Sequence, residues 1–285
     1  MKALQVIIIV IIGIIIGFVG WITYTWTHSY EYYAGGIPVL NYHQVADTGA
    51  GVLTLHSEHF RQQMEYLKSE DYHPISLDEL EAYLEGRGSL PWKPVVITFD
   101  DGYEDNYQVA YPILKEYGFK ATIFMIGQDV NRKGFLTAAQ LQELQAHGID
   151  IENHTYAHKP LDTFSYDETV ADLIHAKAIL QDILHKDTKY VAYPQGRYNE
   201  DAKRAVHDTG FTRAFTVGPG FATTDSDPMA TPRMPIFEGA TAWFTNYDLF
   251  RIRMHVAQLV EWSWNVRMFA KRHNVPWLYG IMPDI

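Results

Sequence analysis

The sequence of 285 residues contains no cysteine. Disulfide bonds, thiolate metal ligands and a cysteine nucleophile are therefore excluded, and any metal ion must be bound through histidine, aspartate or glutamate. Positive charge is also scarce, because 23 lysines and arginines stand against 34 aspartates and glutamates, without a basic cluster. This balance argues against a nucleic-acid partner, which would require a basic surface. Hydrophobic residues make up 47% of the chain, which is enough for a large core.

The N-terminus is almost free of charge, since Lys2 is the only charged side chain among the first 30 residues. The run 6–22 is rich in isoleucine and valine and close to the length of about 20 residues that spans a bilayer. An aromatic stretch at 21–26 is typical of a membrane interface, and the absence of a small-residue cleavage site favours an uncleaved anchor over a cleaved signal peptide. We expect residues 1–26 to be a transmembrane anchor and residues 27–36 a tether. Lys2 then predicts a single-pass protein of the cell membrane with an extracytoplasmic catalytic domain.

Short apolar runs alternate with helical patterns beyond the tether. Capping boxes begin three of the helical segments, at Ser76, Thr137 and Ser165. Seven apolar strands that alternate with helices predict an α/β fold with a parallel sheet buried on both faces. We expect a (β/α) barrel, with fewer than eight units, in preference to an open doubly wound sheet. The predicted strands are 37–42, 72–76, 94–100, 121–126, 149–153, 190–193 and 211–217.

Two carboxylates, Asp100 and Asp101, follow one predicted strand and precede Gly102. Ligands of α/β folds bind at the carboxyl ends of the strands. Successive residues of a strand point to opposite faces, so both carboxylates reach one ligand only if the glycine ends the strand in a tight turn. Two adjacent anions repel, which raises the pKa of one of them unless a cation lies nearby. The pair therefore indicates a metal site, although a plain surface turn has the same pattern.

Two histidines, His154 and His158, follow another predicted strand. Histidines four positions apart lie on one face of a helical turn or close together in a compact loop. Two imidazoles and one carboxylate would leave a coordination position open for water, as in catalytic zinc sites. The second aspartate would then accept a proton from that water, although spacing alone does not say which aspartate does so. Zn is the expected ion, and Co, Ni or Fe would also suit these ligands.

The stretches 98–102 (T-F-D-D-G) and 154–158 (H-T-Y-A-H) resemble the first two motifs of the polysaccharide deacetylases, the NodB-like carbohydrate esterases. The stretch 40–45 resembles the segment that opens their domain, and the likeness covers about residues 37–237. It implies a distorted, incomplete (β/α) barrel, related to the TIM barrel, for a catalytic domain at 37–239. It also implies hydrolysis of acetyl groups on a polysaccharide, above all the N-acetyl groups of N-acetylglucosamine.

The resemblance also assigns roles to the four motif residues. Asp100 would be the catalytic base, and the metal ligands would be Asp101, His154 and His158. The third family motif normally starts with an arginine that supports the base, whereas Ala192 stands at that position here. Our candidate for the missing positive charge is Arg233, in a later R-x-P stretch.

The stretch 193–196 (Y-P-Q-G) resembles a subset of the family that is similar to extracellular enzymes that trim poly-N-acetylglucosamine. The family uses the backbone N–H after the proline, here that of Gln195, to stabilise the oxyanion. The usual histidine acid is missing from the expected region, and His43 is our candidate for substrate binding or proton donation. A histidine hydrogen-bonded in the core is the alternative for His43. The predicted substrate-binding residues are His43, Tyr193, Pro194, Gln195 and Arg233.

The sequence therefore predicts a metal-dependent polysaccharide deacetylase, with an acetylated polysaccharide and the membrane as its partners, and with no nucleic acid or protein partner. A glycoside hydrolase is a weaker alternative, because its two carboxylates lie about 5 Å or more apart across the scissile bond. A cell-wall binding module with a degenerate site and an esterase for O-acetylated xylan are further alternatives. Residues 240–285 break the pattern and predict an atypical, helical C-terminal extension.

Overall fold

The computed structural model describes residues 5, 13–21, 36–48, 51–218, 220–239 and 244–255. Residues 13–21 are helical, and no helix within the described ranges is long and apolar enough to cross a membrane. Most of the predicted anchor and tether lies outside the described residues, as does the predicted extension from residue 256 onward.

Strands alternate with helices from residue 39 onward. The strands are β1 (Val39–Tyr42), β2 (Gln44–Val45), β3 (Thr54–Leu55), β4 (His73–Pro74), β5 (Pro94–Phe99), β6 (Ala121–Met125), β7 (Ile149–Asn153), β8 (Tyr190–Ala192), β9 (Arg213–Phe215) and β10 (Met234–Pro235). The helices are α1 (Ser57–Ser69), α2 (Leu77–Leu84), α3 (Tyr111–Tyr117), α4 (Ala138–Ala146), α5 (Tyr166–Leu184), α6 (Glu200–Asp208) and α7 (Asn246–His255).

Eight strands form one parallel sheet in the order β10-β1-β5-β6-β7-β8-β9, with β4 paired to β5 outside this path. The segment 231–235 contacts both ends of the sheet. Thr231 N donates to Ala214 O of β9 at 2.9 Å, and Met234 lies in register with Leu40 of β1. The result is a curled parallel half-barrel with helices around it, which confirms the predicted (β/α) architecture.

Both faces of the sheet are buried, as the apolar strands predicted. Neighbouring residues of β6 illustrate this, because Ile123 packs in a cluster with α1, α3 and α4, whereas Phe124 packs in a second cluster on the opposite face. Helix α2 adds Leu77, Leu80 and Leu84 to that second cluster. Burying one such side chain contributes about 1.5–3 kcal/mol, so the two clusters stabilise the sheet from both sides.

The predicted helix starts are confirmed, because Ser76, Thr137 and Ser165 each form a complete capping box. The helical segment between β5 and β6 is irregular, since it contains a π-helical turn at Asn106–Ala110 directly before α3. The strands β2, β3 and β10 were not predicted, because two residues are too short to show a periodic pattern.

The described part of the predicted C-terminal extension packs on the core. Phe250 and Met254 of α7 are buried, and Phe250 makes an edge-to-face contact with Tyr66 of α1, with ring centroids 5.8 Å apart. Helix α7 therefore covers α1 and adds to the same hydrophobic cluster.

Candidate active site

The acidic pair lies in a turn at the carboxyl end of β5. Asp100 N still donates to Tyr42 O of β1 at 2.9 Å, and the chain then turns through Asp101 and Gly102, whose φ angles are 72° and 77°. A Cβ atom on Gly102 would lie 2.1 Å from Met125 Sδ, so any other residue would adopt a strained φ angle and force the buried Met125 side chain to move. The predicted turn is confirmed. The left-handed conformation of Asp101 was not predicted from the sequence.

Asp100 forms a buried ion pair with Arg233. Arg233 Nη1 and Nη2 donate to the two carboxylate oxygens at 2.7 and 2.6 Å. Burial alone would raise the pKa of Asp100, but the guanidinium of Arg233 and the nearby His154 together outweigh this effect, and the pKa lies below its usual value. The guanidinium is fully buried and is therefore not accessible to a substrate. The prediction that Arg233 supplies the missing positive charge fits this contact, whereas its prediction as a substrate-binding residue is corrected.

Asp101, His154 and His158 meet at one point. Asp101 Oδ1 lies 3.3 Å from His154 Nε2 and 3.2 Å from His158 Nε2, and the potential ligand atoms of all three residues lie within 4.8 Å of one another. Asp101 Oδ1 is buried and has no hydrogen-bond partner among the described residues. An oxygen and two nitrogens that meet this closely suit a divalent metal ion.

The electrostatics of this triad keep the aspartate ionised. Burial would raise the pKa of Asp101, but the two imidazoles reverse this effect and hold it well below its usual value. His154 Nδ1 lies 2.8 Å from Ala192 O, which requires the proton on Nδ1 and leaves the lone pair of Nε2 free for a metal. Burial would lower the pKa of His158, but Asp101 raises it overall.

The two histidines lie in a compact loop and not on a helical turn. Thr155 and His158 have φ angles of 65° and 52°, and Thr155 Oγ1 accepts a hydrogen bond from His158 N at 3.1 Å. Between them, Asp172 of α5 accepts the N–H groups of Tyr156 at 2.7 Å and of Ala157 at 3.0 Å. A single carboxylate therefore holds the middle of the loop. Sequence reasoning missed Asp172, because nothing in a helical pattern marks one polar residue as a loop contact.

The Y-P-Q-G stretch forms a single helical turn beside the triad, at Pro194–Gly196. Gln195 is exposed and has a φ angle of 57°, and Thr216 Oγ1 donates to Gly196 O at 2.8 Å. Tyr193 is fully buried, and its hydroxyl donates to Met229 O at 2.9 Å. Pro194 is buried as well. Tyr193 therefore packs inside the protein, which corrects its prediction as a side chain that contacts substrate.

His43 follows β1 and lies next to the acidic pair. Burial lowers its pKa, whereas the charges of Asp100 and Asp101 act in the opposite direction. Arg233 and His154 act with burial and lower it. Because Tyr42 O accepts Asp100 N at 2.9 Å, the structure places the next residue, His43, beside the acidic turn. Its Nδ1 has no hydrogen-bond partner among the described residues, so the alternative of a hydrogen-bonded core histidine is not supported.

Sequence comparisons identify relatives of this chain. The family described as polysaccharide deacetylase matches residues 87–214. The Bacillus subtilis (strain 168) protein YxkH, which carries the name of that family, is 36% identical over 203 residues, covering 71% of this chain and 72% of its own. A poly-β-1,6-N-acetyl-D-glucosamine N-deacetylase of Staphylococcus epidermidis is 30% identical over 198 residues, covering 64% of this chain and 68% of its own.

Two solved structures have a similar fold. Streptococcus pyogenes deacetylase PplD, in complex with acetate, aligns with a TM-score of 0.70 and 28% identity, covering 76% of this chain and 97% of its own. IcaB from Ammonifex degensii aligns with a TM-score of 0.67 and 28% identity, covering 79% and 98%. The chain therefore belongs to the polysaccharide deacetylase family and is a hydrolase of carbon–nitrogen bonds other than peptide bonds.

Proposed function

We propose that this protein removes N-acetyl groups from an extracellular polysaccharide that contains N-acetylglucosamine, and that the reaction depends on a divalent metal ion, with Zn as the expected ion. The observation that carries this proposal is the buried Asp101 Oδ1, which lies between two imidazole Nε2 atoms without a hydrogen-bond partner among the described residues. The ligands would be Asp101, His154 and His158. A divalent ion held there polarises a carbonyl and lowers the pKa of a water from 15.7 toward about 7.

The chain's own residues would divide the proton transfers of the reaction. Asp100, kept ionised by Arg233, accepts a proton from the attacking water as its oxygen bonds to the acetyl carbon. The backbone N–H of Gln195 donates to the carbonyl oxygen as it becomes negative, and this contribution does not depend on the side chain. His43 then donates a proton to the sugar nitrogen as the carbon–nitrogen bond breaks. The products are acetate and a free amine.

The substrate class is supported by the relatives and by the Y-P-Q-G turn. Relatives from Staphylococcus are named for poly-β-1,6-N-acetyl-D-glucosamine, and the similarity to them extends over about two thirds of their length. The exposed Gln195 leaves the turn accessible to a polymer. We propose the same class of polymer for this protein, ahead of peptidoglycan, chitin oligomers and O-acetylated xylan.

A panel of polymers tests the proposal. The chain is incubated with poly-β-1,6-N-acetylglucosamine, peptidoglycan, chitin oligomers and O-acetylated xylan, each with zinc or with a chelator, and released acetate is measured. We expect zinc-dependent release that is greatest with the first polymer. Release from xylan alone would instead indicate an O-acetyl esterase. Binding of a polymer without any acetate release would indicate a binding module.

The proposed location follows from the sequence alone. The uncharged run 6–22 and Lys2 support a single-pass membrane anchor with the catalytic domain outside the cytoplasm. Fractionation of cells that produce the full chain tests this. An anchored protein remains in the membrane fraction after a carbonate wash and is degraded by protease added to intact cells with permeable walls.

A further inference from the structure

Two consecutive side chains after the acidic pair hold the backbone around His43. Asn106 Nδ2 donates to His43 O at 2.8 Å and to Asp105 Oδ1 at 3.0 Å. The same Asp105 oxygen accepts the N–H of Val45 at 3.0 Å. We call Asp105 and Asn106 the His43 clamp, because they bond to the chain at His43 and two residues beyond it.

The ring of His43 lacks the partner that usually orients such a histidine. Its Nδ1 is buried, and no residue that the structure describes forms a hydrogen bond with it. Histidines that transfer protons in enzymes commonly have one ring nitrogen bonded, which fixes the tautomer and the orientation of the ring. The orientation of His43 therefore depends on its backbone. The sheet fixes the residue before His43, since Tyr42 O accepts Asp100 N at 2.9 Å. The His43 clamp fixes the carbonyl of His43 and the N–H of Val45 after it.

Asn106 is not explained by packing alone. It is 2% exposed, and its Oδ1 has no hydrogen-bond partner within the described part of the chain. Burying an amide oxygen without a partner costs free energy, so a small apolar residue would suit the position better if only packing mattered. The donor half of the amide is satisfied, by His43 O and Asp105 Oδ1. The hydrogen bonds that the Asn106 amide donates therefore account for a buried asparagine at this position.

We propose that Asn106 is a positioning residue that holds the His43 ring in line with the departing nitrogen of the substrate. This inference rests on the proposed function, with His43 as proton donor. The physical basis is that Asn106 fixes the His43 carbonyl to the segment that follows Asp100 and Asp101, so one turn sets the position of base, metal ligand and acid together.

Substrates with different leaving groups separate this role from a general effect on the fold. An amine must be protonated before it leaves, whereas the phenolate of 4-nitrophenyl acetate leaves without a proton. We expect Asn106→Ala to lower kcat on an N-acetylglucosamine oligomer about tenfold with KM unchanged. Hydrolysis of 4-nitrophenyl acetate by the same variant should stay at the wild-type rate. Gln108→Ala removes an exposed amide from the same turn and should change neither rate.

A double-mutant comparison completes the test. His43→Ala should show the same selective loss on the amide, and adding Asn106→Ala to it should cause no further loss, because both changes affect one proton transfer. The isosteric Asn106→Asp, with its fold checked by circular dichroism, should reproduce the Asn106→Ala result. Equal losses on both substrates in a folded variant, or additive losses with His43→Ala, would overturn the positioning role. A wild-type protein without zinc-dependent acetate release would instead refute the proposed function itself, and the positioning role with it.

Discussion

Arg233 donates one hydrogen bond to each carboxylate oxygen of Asp100, at 2.7 and 2.6 Å, across 133 positions of sequence. The guanidinium is held in place by two further bonds, to Thr98 Oγ1 at 3.1 Å and to Thr216 O at 3.2 Å. The positive charge that Ala192 does not provide therefore comes from the segment just before β10.

Replacing this arginine should change the pH dependence of the reaction. Without the guanidinium of Arg233, burial is opposed only by the weaker effects of His154 and His43, so the pKa of Asp100 rises. We expect Arg233→Ala to move the acid limb of the kcat profile to higher pH and to lower kcat, when acetate release is measured at saturating zinc. The buried, unpaired carboxylate should also reduce the free energy of unfolding by about 3–5 kcal/mol at neutral pH.

The direction of the stability change follows from the same ion pair. Because folding lowers the pKa of Asp100, its ion pair stabilises the wild-type protein above the unfolded pKa of about 3.9 and stops doing so as the pH falls through the folded pKa. The variant should lack this part of the pH dependence. Arg213→Ala is the matched control, since Arg213 is also buried but bonds to Thr231 Oγ1. An equal displacement of the acid limb in this control would refute the role assigned to Arg233.

Asp100→Asn tests the role of the base separately from metal binding. The substitution keeps the shape of the side chain but removes the group that accepts the proton, so acetate release should fall about 100- to 10,000-fold. The metal ligands are unchanged, and the variant should still bind one equivalent of zinc by isothermal titration. His154→Ala is its counterpart and should lose zinc binding itself. Retained activity in Asp100→Asn would remove this residue from the reaction.

The turn at Gly102 should tolerate no side chain. Gly102→Ala would place a Cβ atom 2.1 Å from Met125 Sδ at a φ angle of 77°, so strain and overlap add. We expect a loss of about 3 kcal/mol or more in the free energy of unfolding by urea, together with loss of activity. Gly118→Ala has a similar φ of 67° but open space around the new atom, and should cost about 1–2 kcal/mol with activity retained. Similar losses in the two variants would show that overlap with Met125 is unimportant.

The carboxylate of Asp172 should support metal binding without contacting the metal. It accepts the N–H groups of Tyr156 and Ala157, between the two histidines. Asp172→Ala frees this loop, and we expect zinc affinity to fall about 10- to 100-fold in a competition assay with a chelator. Asp182→Ala removes an exposed carboxylate from the same helix and should leave the affinity unchanged. Unchanged affinity in Asp172→Ala would show that the loop holds its shape without this contact.

Much of the site could be predicted, because its residues directly follow strands that are recognisable from their apolar runs. Parallel strands bring their carboxyl ends to one edge, so the sequence alone predicts that Asp100 and Asp101 meet His154 and His158. The helix starts are equally clear, since a capping box is a local pattern in which both partners lie three positions apart.

The rest depends on contacts between distant segments. β10 has two residues, too few for a periodic pattern, although it follows directly on Arg233. Asn106 bonds to a carbonyl 63 positions earlier, and Asp172 bonds to a loop 15 and 16 positions earlier. Backbone carbonyl and N–H groups are present at nearly every position, so the residue types do not show which of them will bond to a distant side chain. The prediction that Tyr193 binds substrate is wrong for a related reason. Its strand, β8, is too short to show whether the side chain of the next residue points into the core or toward the site.

The most direct test of metal-dependent deacetylation is a zinc titration of chelator-treated protein, with acetate released from a β-1,6-linked N-acetylglucosamine oligomer as the measured quantity. We predict almost no release without metal, a linear rise that ends at one equivalent of zinc, and no response in His154→Ala. Full release in the absence of metal, or an unchanged response in His154→Ala, would contradict the proposed metal centre.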